Sequence, residues 1–188
     1  MYRRQLLDLL HTYHPTYPEE IESKRNMLHF IEDNARCFER ALEIGHMTAS
    51  SWLLSQDGSQ ALLMHHRKLN RWLQLGGHAD GDSNLLEVAI KEAQEESGIH
   101  HIEAITPHIF DIDIHLIPEN PKEKAHYHYD VRFLLQVKSL ERVQGNHESK
   151  ELLWISKDPS ELPTKENSIL RMFTKWTKSN DTAPGQML

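Results

Sequence analysis

Gly76-Gly77-His78, followed by Lys91-Glu92-Ala93-Gln94-Glu95-Glu96-Ser97-Gly98-Ile99, is the stretch whose reading decides the fold. A Gly-rich loop leads into a short helix that ends at Ser97-Gly98. At about 100° per residue, Glu95 lies about −60° and Glu96 about +40° from Glu92. Leu85, Val88 and Ala89 fall on the same arc. Three carboxylates therefore point toward the apolar side of their own helix. Buried like charges repel one another and lose hydration. A hard divalent cation relieves both costs, and Mg²⁺ combines carboxylate oxygens with substrate phosphate. Glu87, Lys91 and Gln94 already supply a solvated face, which argues against a merely exposed acidic surface. Glu92, Glu95 and Glu96 are expected to hold Mg²⁺, with Mn²⁺ as the alternative cation.

Upstream, residues 47–54 read as a strand, Asp57-Gly58 as a turn and residues 60–66 as the returning strand. Trp72-Leu73-Gln74-Leu75 leads into the glycines, and Asn84 is the candidate N-cap of the acid helix. Downstream, residues 109–117, 126–137 and 152–155 read as strands and residues 165–178 as a helix. The first 45 residues read as helical. Pro18-Glu19-Glu20 opens a helix, Met27, Ile31, Ala35, Phe38 and Leu42 recur at helical spacing, and Gly45 is the expected stop. That apolar stripe needs a partner, either the core or a second copy in a homodimer. Strands in runs with flanking helices give an α+β class with a mixed sheet. The expected division is an N-terminal helical extension over 1–45, a main domain over 46–178 and a flexible tail over 179–188.

The chain has 188 residues, enough for one domain with a real core plus an appendage. No apolar run is long enough to cross a membrane, and Met1-Tyr2-Arg3-Arg4 does not lead into a signal-peptide core. One cysteine, Cys37, excludes an internal disulfide framework, so the cytoplasm is the default location. On its helical segment Cys37 reads as a packing residue. A net charge of −7 argues against nucleic acid as partner.

Fourteen histidines are many for this length, and their placement is ordered. Asp111, Asp113 and His115 alternate along one strand, and His126, His128 and Asp130 along the next, which puts each trio on one face. A hairpin through Pro118-Glu119-Asn120-Pro121 would set Asp111 opposite Asp130, Asp113 opposite His128 and His115 opposite His126. Simple amphipathicity explains one such strand. Two strands of His and Asp alone suggest an extension of an active site that binds a second metal or a phosphate-bearing group. Asp113, His126, His128 and Asp130 are candidate substrate ligands on that reading. Arg67, Lys68 and Arg71 precede the glycine loop, where they would neutralise substrate phosphate or form a solvated basic turn. His78 is a further substrate candidate, or a loop histidine capping a backbone group.

These residues resemble the Nudix hydrolases. That family's box is a loop–helix–loop, Gly-x5-Glu-x7-Arg-Glu-U-x-Glu-Glu-x-Gly-U with U aliphatic, and here it runs from Gly77 to Ile99. Two positions depart. The first glutamate of the pattern is Ser83, flanked by Asp82 and Glu87, and its arginine is Lys91. Glu87 and Lys91 stand at i,i+4 in the favourable order and are expected to replace part of that support. The resemblance covers residues 47–155, and the loop 72–82 is similar to that of a bacterial group whose substrates are mostly unassigned. It implies a Nudix-type mixed β-sheet sandwiched by helices. It also implies metal on Glu92, Glu95 and Glu96, and hydrolysis of a diphosphate bond in a nucleoside diphosphate linked to another moiety. Glu95, or Glu148 or Glu151 of the late loop, would take the proton from water. Two alternatives remain. One is an isopentenyl-diphosphate-isomerase-like enzyme, which shares the fold, carries metal-binding histidines and needs a pocket cysteine. The other is a module that senses a nucleotide without cleaving it.

Overall fold

The computed structural model describes residues 2–121 and 123–178; the expected flexible tail lies outside them. Two helices, α1 (Tyr2–Thr12) and α2 (Pro18–Asp33), precede β1 (Gly45–Leu54), β2 (Ala61–His66), β3 (Arg71–Leu73) and β4 (Leu75–His78). The acid helix α3 (Leu85–Ser97) follows, then β5 (Ile102–Ile117), β6 (His126–Val137), β7 (Ser149–Ile155) and α4 (Asn167–Lys178). The sheet runs β3-β2-β1-β6-β5, with β4 also paired to β1 and β7 to β2. β1 and β6 run parallel over their whole length, and the other pairs are antiparallel, so the sheet is mixed as expected.

β1 is buried along all its residues, because both of its faces are covered. Met47 and Ala49 turn toward a core shared with Val131, Phe133 and Ile112 of the neighbouring strands, Leu85, Ala89 and Ala93 of α3, and Leu6, Leu10, Met27 and Ile31 of α1 and α2. The apolar stripe of the N-terminal helices thus finds its partner within the chain. On the reverse face Trp52 and Leu54 pack under Ile169, Met172 and Trp176 of α4.

Two expectations need correction. The helix of residues 18–33 ends at Asp33, well before Gly45. Asn34 takes an extended backbone, and both its amide N–H (3.1 Å) and its Nδ2 (2.9 Å) donate to the Phe30 carbonyl. Phe38 is still buried, so the apolar spacing reflected burial and not helix. Gly45 is no helix stop. It opens β1 at φ 151°, where a Cβ would stand 2.5 Å from the Tyr127 carbonyl oxygen.

The second correction concerns the hairpin. β5 and β6 do pair antiparallel, but two residues out of the expected register. Asp113 faces Asp130, His115 faces His128, Ile117 faces His126 and Asp111 faces Arg132. An even shift keeps every side chain on its face. The physical gain is charge. The observed register sets Asp111 against the Arg132 guanidinium, and Asp113 and Asp130, which then face each other, share that same guanidinium.

Arg132, 2% exposed, is the hub of that arrangement. Its Nε meets Asp130 at 2.7 Å, and its terminal nitrogens meet Asp111 at 3.0 Å and Asp113 at 3.3 Å. From α4, Arg171 reaches Asp111 (2.8 Å), Asp113 (3.4 Å) and the Ile112 carbonyl (2.9 Å), and Lys175 bonds Asp111 (2.7 Å) and Glu20 of α2. Asp130 also accepts hydrogen bonds from Thr48 and Ser50 of β1 at 2.9 and 2.7 Å. Removing one partner leaves its buried counter-charges uncompensated, at a cost of about 3–5 kcal/mol. Arg132→Ala is therefore expected to lose about that much stability in chemical denaturation. A loss below about 1 kcal/mol would show that the network is not needed for folding.

Candidate functional site

α3 is held against the sheet by its apolar side and by one polar contact. Leu85, Val88, Ala89 and Ala93 are buried, and the Glu96 carboxylate accepts the Gly76 N–H at 2.8 Å. Asn84 stands at the N-cap without a side-chain cap bond, and Asp82 accepts its N–H at 2.9 Å. Gly98 closes the helix in the left-handed conformation (φ 72°), as the sequence led one to expect.

Glu92 sits over Gly77. A Cβ at Gly77 would lie 2.5 Å from the Glu92 carboxyl carbon, so this glycine is a cradle for the carboxylate. Burial, followed by repulsion from Glu95, raises the Glu92 pKa. Glu96 is 3% exposed, and burial, only partly countered by the Gly76 bond, pushes its pKa to about 8. Glu95 is exposed and pairs with Lys91 at 3.6 Å. Lys91, expected to pair with Glu87, thus supports a member of the trio itself.

The two late-loop acids part company. Glu148 acts electrostatically on both Glu92 and Glu96, raising each. It is tied down from below: the Glu148 carbonyl accepts the Arg67 N–H (2.7 Å), and the Arg67 guanidinium donates to the His147 and Ser149 carbonyls. Arg67, expected on phosphate, is engaged in shaping this loop. Glu151 stands exposed on β7 opposite His65. Arg71 is exposed and lies 3.7 Å from Glu166.

The His/Asp face divides into two ends. Asp111, Asp113 and Asp130 are engaged by Arg132, Arg171 and Lys175. For Asp113, burial opposes ionisation, but Arg132 and His115 outweigh it and hold the pKa well below the usual range. These aspartates neutralise charge within the fold, so the expected substrate role of Asp113 and Asp130 gives way to a structural one. At the other end, His46, His78, His126 and His128 crowd together, with ring centroids 4.9 to 5.2 Å apart. Burial, then repulsion among the rings, lowers the His128 pKa to about 2. Burial and Arg40 lower that of His78 to about 4. His46 escaped the sequence reading because its neighbour across the sheet is His128 through a parallel pairing that no hairpin logic supplies. Asp80, also missed, acts electrostatically on Glu92 and on both His46 and His78.

A separate open cavity of about 710 Å³, lined among others by Tyr13, Tyr17, Phe110 and Lys175, holds none of the expected site residues. Cys37 is fully buried and its pKa is pushed up to about 11, chiefly by burial.

The family profile described as NUDIX domain matches residues 45–177. A C. elegans Ap4A hydrolase in a binary complex is similar at 16% identity and TM-score 0.57, covering 72% of this chain and 97% of that one. A NUDIX-family hydrolase from Clostridium perfringens is similar at 25% identity and TM-score 0.53, covering 71% and 97%. An ADP-ribose pyrophosphatase from Streptococcus suis is similar at 18% identity and TM-score 0.52, covering 74% and 95%. The search of curated proteins gave no match.

Two outcomes follow from this geometry. Gly77→Ala is expected to displace the Glu92 carboxylate and weaken Mg²⁺ or Mn²⁺ binding at least about tenfold, with little change in melting temperature, because the Gly77 φ suits any residue and only a flexible side chain must move. Isothermal titration and thermal melts measure both. The second concerns pH. Glu96 keeps its proton up to about pH 8 in the folded chain and only up to about its ordinary 4.5 when unfolded. Between those values the folded state binds more protons, so this group's contribution to stability falls as pH rises. Metal-free Glu96→Gln, which lacks that loss, is expected to gain on wild type between pH 5 and pH 8.5 in denaturation with chelator. A difference constant across that range would refute the raised pKa.

Proposed function

This chain belongs to the Nudix family and is a hydrolase of pyrophosphate-type bonds; from that premise we propose that it cleaves a nucleoside diphosphate linked to another moiety, in a reaction that depends on Mg²⁺ or Mn²⁺. The observation that carries this reading is the carboxylate cluster on α3, in which Glu96, buried, and Glu92, half-buried, stand against glycines with raised pKa values. Such a donor set fits a hard dication. Glu92, Glu95 and Glu96 would hold it, and when bound it would supply charge neutralisation for the diphosphate and acidify a water.

The chain's own groups supply the rest. The backbone from Gly76 to His78 fixes Glu92 and Glu96 against β4. Arg67 holds the backbone of the 147–149 loop, and Glu148 acts electrostatically on Glu92 and Glu96, which favours Glu148 over Glu151 as the group that takes the water's proton. Arg71, exposed and 3.7 Å from Glu166, would meet substrate phosphate in place of Arg67. Phosphoryl chemistry asks for little beyond such positioning and charge.

The net charge of −7 favours a small phosphorylated substrate over nucleic acid. No helix among the described residues is long and apolar enough to cross a membrane, and a cytoplasmic site suits the single cysteine. A homodimer would use a surface other than the stripe of α1 and α2, which is buried. The isomerase-like alternative is disfavoured by the burial of Cys37, and the sensing alternative by the intact trio.

A turnover assay with Mg²⁺ across nucleotide sugars, dinucleotides, nucleoside triphosphates and prenyl diphosphates tests the proposal. Hydrolysis of a nucleoside diphosphate derivative is the expected result, and Glu95→Gln should lower it at least about a hundredfold. Turnover of that variant within a few-fold of wild type would remove the trio from the mechanism.

A further inference from the structure

We propose that His46, His78 and His128 form a second metal centre, for a borderline transition-metal dication such as Zn²⁺, distinct from the carboxylate site on α3. The parallel pairing of β1 with β6 sets His46 directly beside His128. β4 lies on the other side of β1, with His78 opposite Thr48. One ring nitrogen from each of the three histidines lies within 4.8 Å of the other two. A tetrahedral zinc, with Zn–N of about 2.0–2.1 Å, holds its nitrogens about 3.3 Å apart. His78 and His128 are only partly buried, so their rings have room to turn toward a shared ion.

The decisive observation is His46. It is 2% exposed, and both ring nitrogens are out of contact with solvent without a hydrogen-bond partner. The Leu42 carbonyl lies near enough to favour the protonated ring, but neither nitrogen meets a partner in hydrogen-bond geometry. A buried polar ring left in this way is costly unless something fills the position. The neighbouring rings supply no charge balance either, because imidazoles packed this closely repel one another when protonated.

The surroundings support the assignment. His126 donates its Nδ1–H to the Lys124 carbonyl at 2.8 Å, which leaves the lone pair on Nε2 facing the His128 Nε2 at 3.3 Å. A His128 Nε2–H donated to that lone pair leaves the His128 Nδ1 for the metal, and a hydrogen bond from the other ring nitrogen is the usual support of a ligating histidine. Arg40 is exposed and lies 2.9 Å from the His78 Nδ1, so the ring is reachable from outside and the cation that now meets it can move away. Three imidazoles suit zinc, copper, nickel or iron and do not suit Mg²⁺, which takes oxygen ligands. They leave one position open for water or an anionic group. His78 directly follows Gly77, so the two centres would share β4.

Metal-stripped full-length protein titrated with Co²⁺ and Zn²⁺ alone provides the test. One equivalent of Co²⁺ should give the visible absorption of a low-coordinate nitrogen site. The signal should persist in the triple variant Glu92→Gln, Glu95→Gln, Glu96→Gln and in millimolar Mg²⁺. His78→Asn and His128→Asn should each weaken binding at least about a hundredfold. Zn²⁺-loaded wild type should show imidazole scattering in X-ray absorption, a readout that needs no variant and decides the matter if the histidine variants fail to fold. Absorption that survives both histidine variants, that disappears with the glutamates, or a zinc spectrum of oxygen ligands alone would overturn the proposal.

Discussion

A guanidinium buried in the middle of a sheet is the constraint around which this protein is organised. Removing Arg132 from water is costly, and the cost is met only if carboxylates surround it with good geometry. Asp111, Asp113 and Asp130 do so from two adjacent strands. Those acids in turn draw in Arg171 and Lys175 from α4, and Lys175 reaches Glu20 on α2. One chain of opposite charges thus fixes the register of β5 on β6, docks the C-terminal helix and ties down the N-terminal one.

The acid helix presents the opposite arrangement. Glu96 is buried and Glu92 half-buried, yet Glu96 meets a backbone N–H and Glu92 stands over a glycine. Asp111 and Asp113 have pKa values held down by arginines against the opposing effect of burial, whereas these glutamates have pKa values driven upward by burial and by one another. Carboxylates compensated within the fold serve structure. Carboxylates left uncompensated, next to glycines that permit close approach, are arranged for a charge that comes from outside.

Between these two lies the imidazole end of the sheet, where neither solution operates. The rings meet tilted or edge-on, with the His46, His78 and His128 centroids 4.9 to 5.1 Å apart, and burial, joined by nearby rings and Arg40, lowers the pKa values of these three. Asp80 acts on His46, on His78 and on Glu92, and it lies in the loop between β4 and α3. That loop, which directly follows Gly77 and His78 of β4, is therefore the physical link between the two ligand sets.

The trio of acids, the glycine that ends its helix and the strand limits of β6 were all legible in the sequence. Each depends on short-range periodicity: 3.6 residues per turn, alternation by two, and a left-handed cap that favours glycine. The alternation also put Asp111, Asp113 and His115 on one face correctly, because an even register shift preserves faces. Tertiary structure alone decided the rest. Asp113 and Asp130 became internal counter-ions because Arg132 arrives from the same strand pair and Arg171 from a helix some sixty residues away. Arg67 turned to the backbone of a loop about eighty residues on. His46 joined His128 through a parallel ladder whose partners lie 82 positions apart, a pairing that no local pattern encodes. Periodicity says which way a side chain points; which charges and rings it meets there is set by long-range pairing.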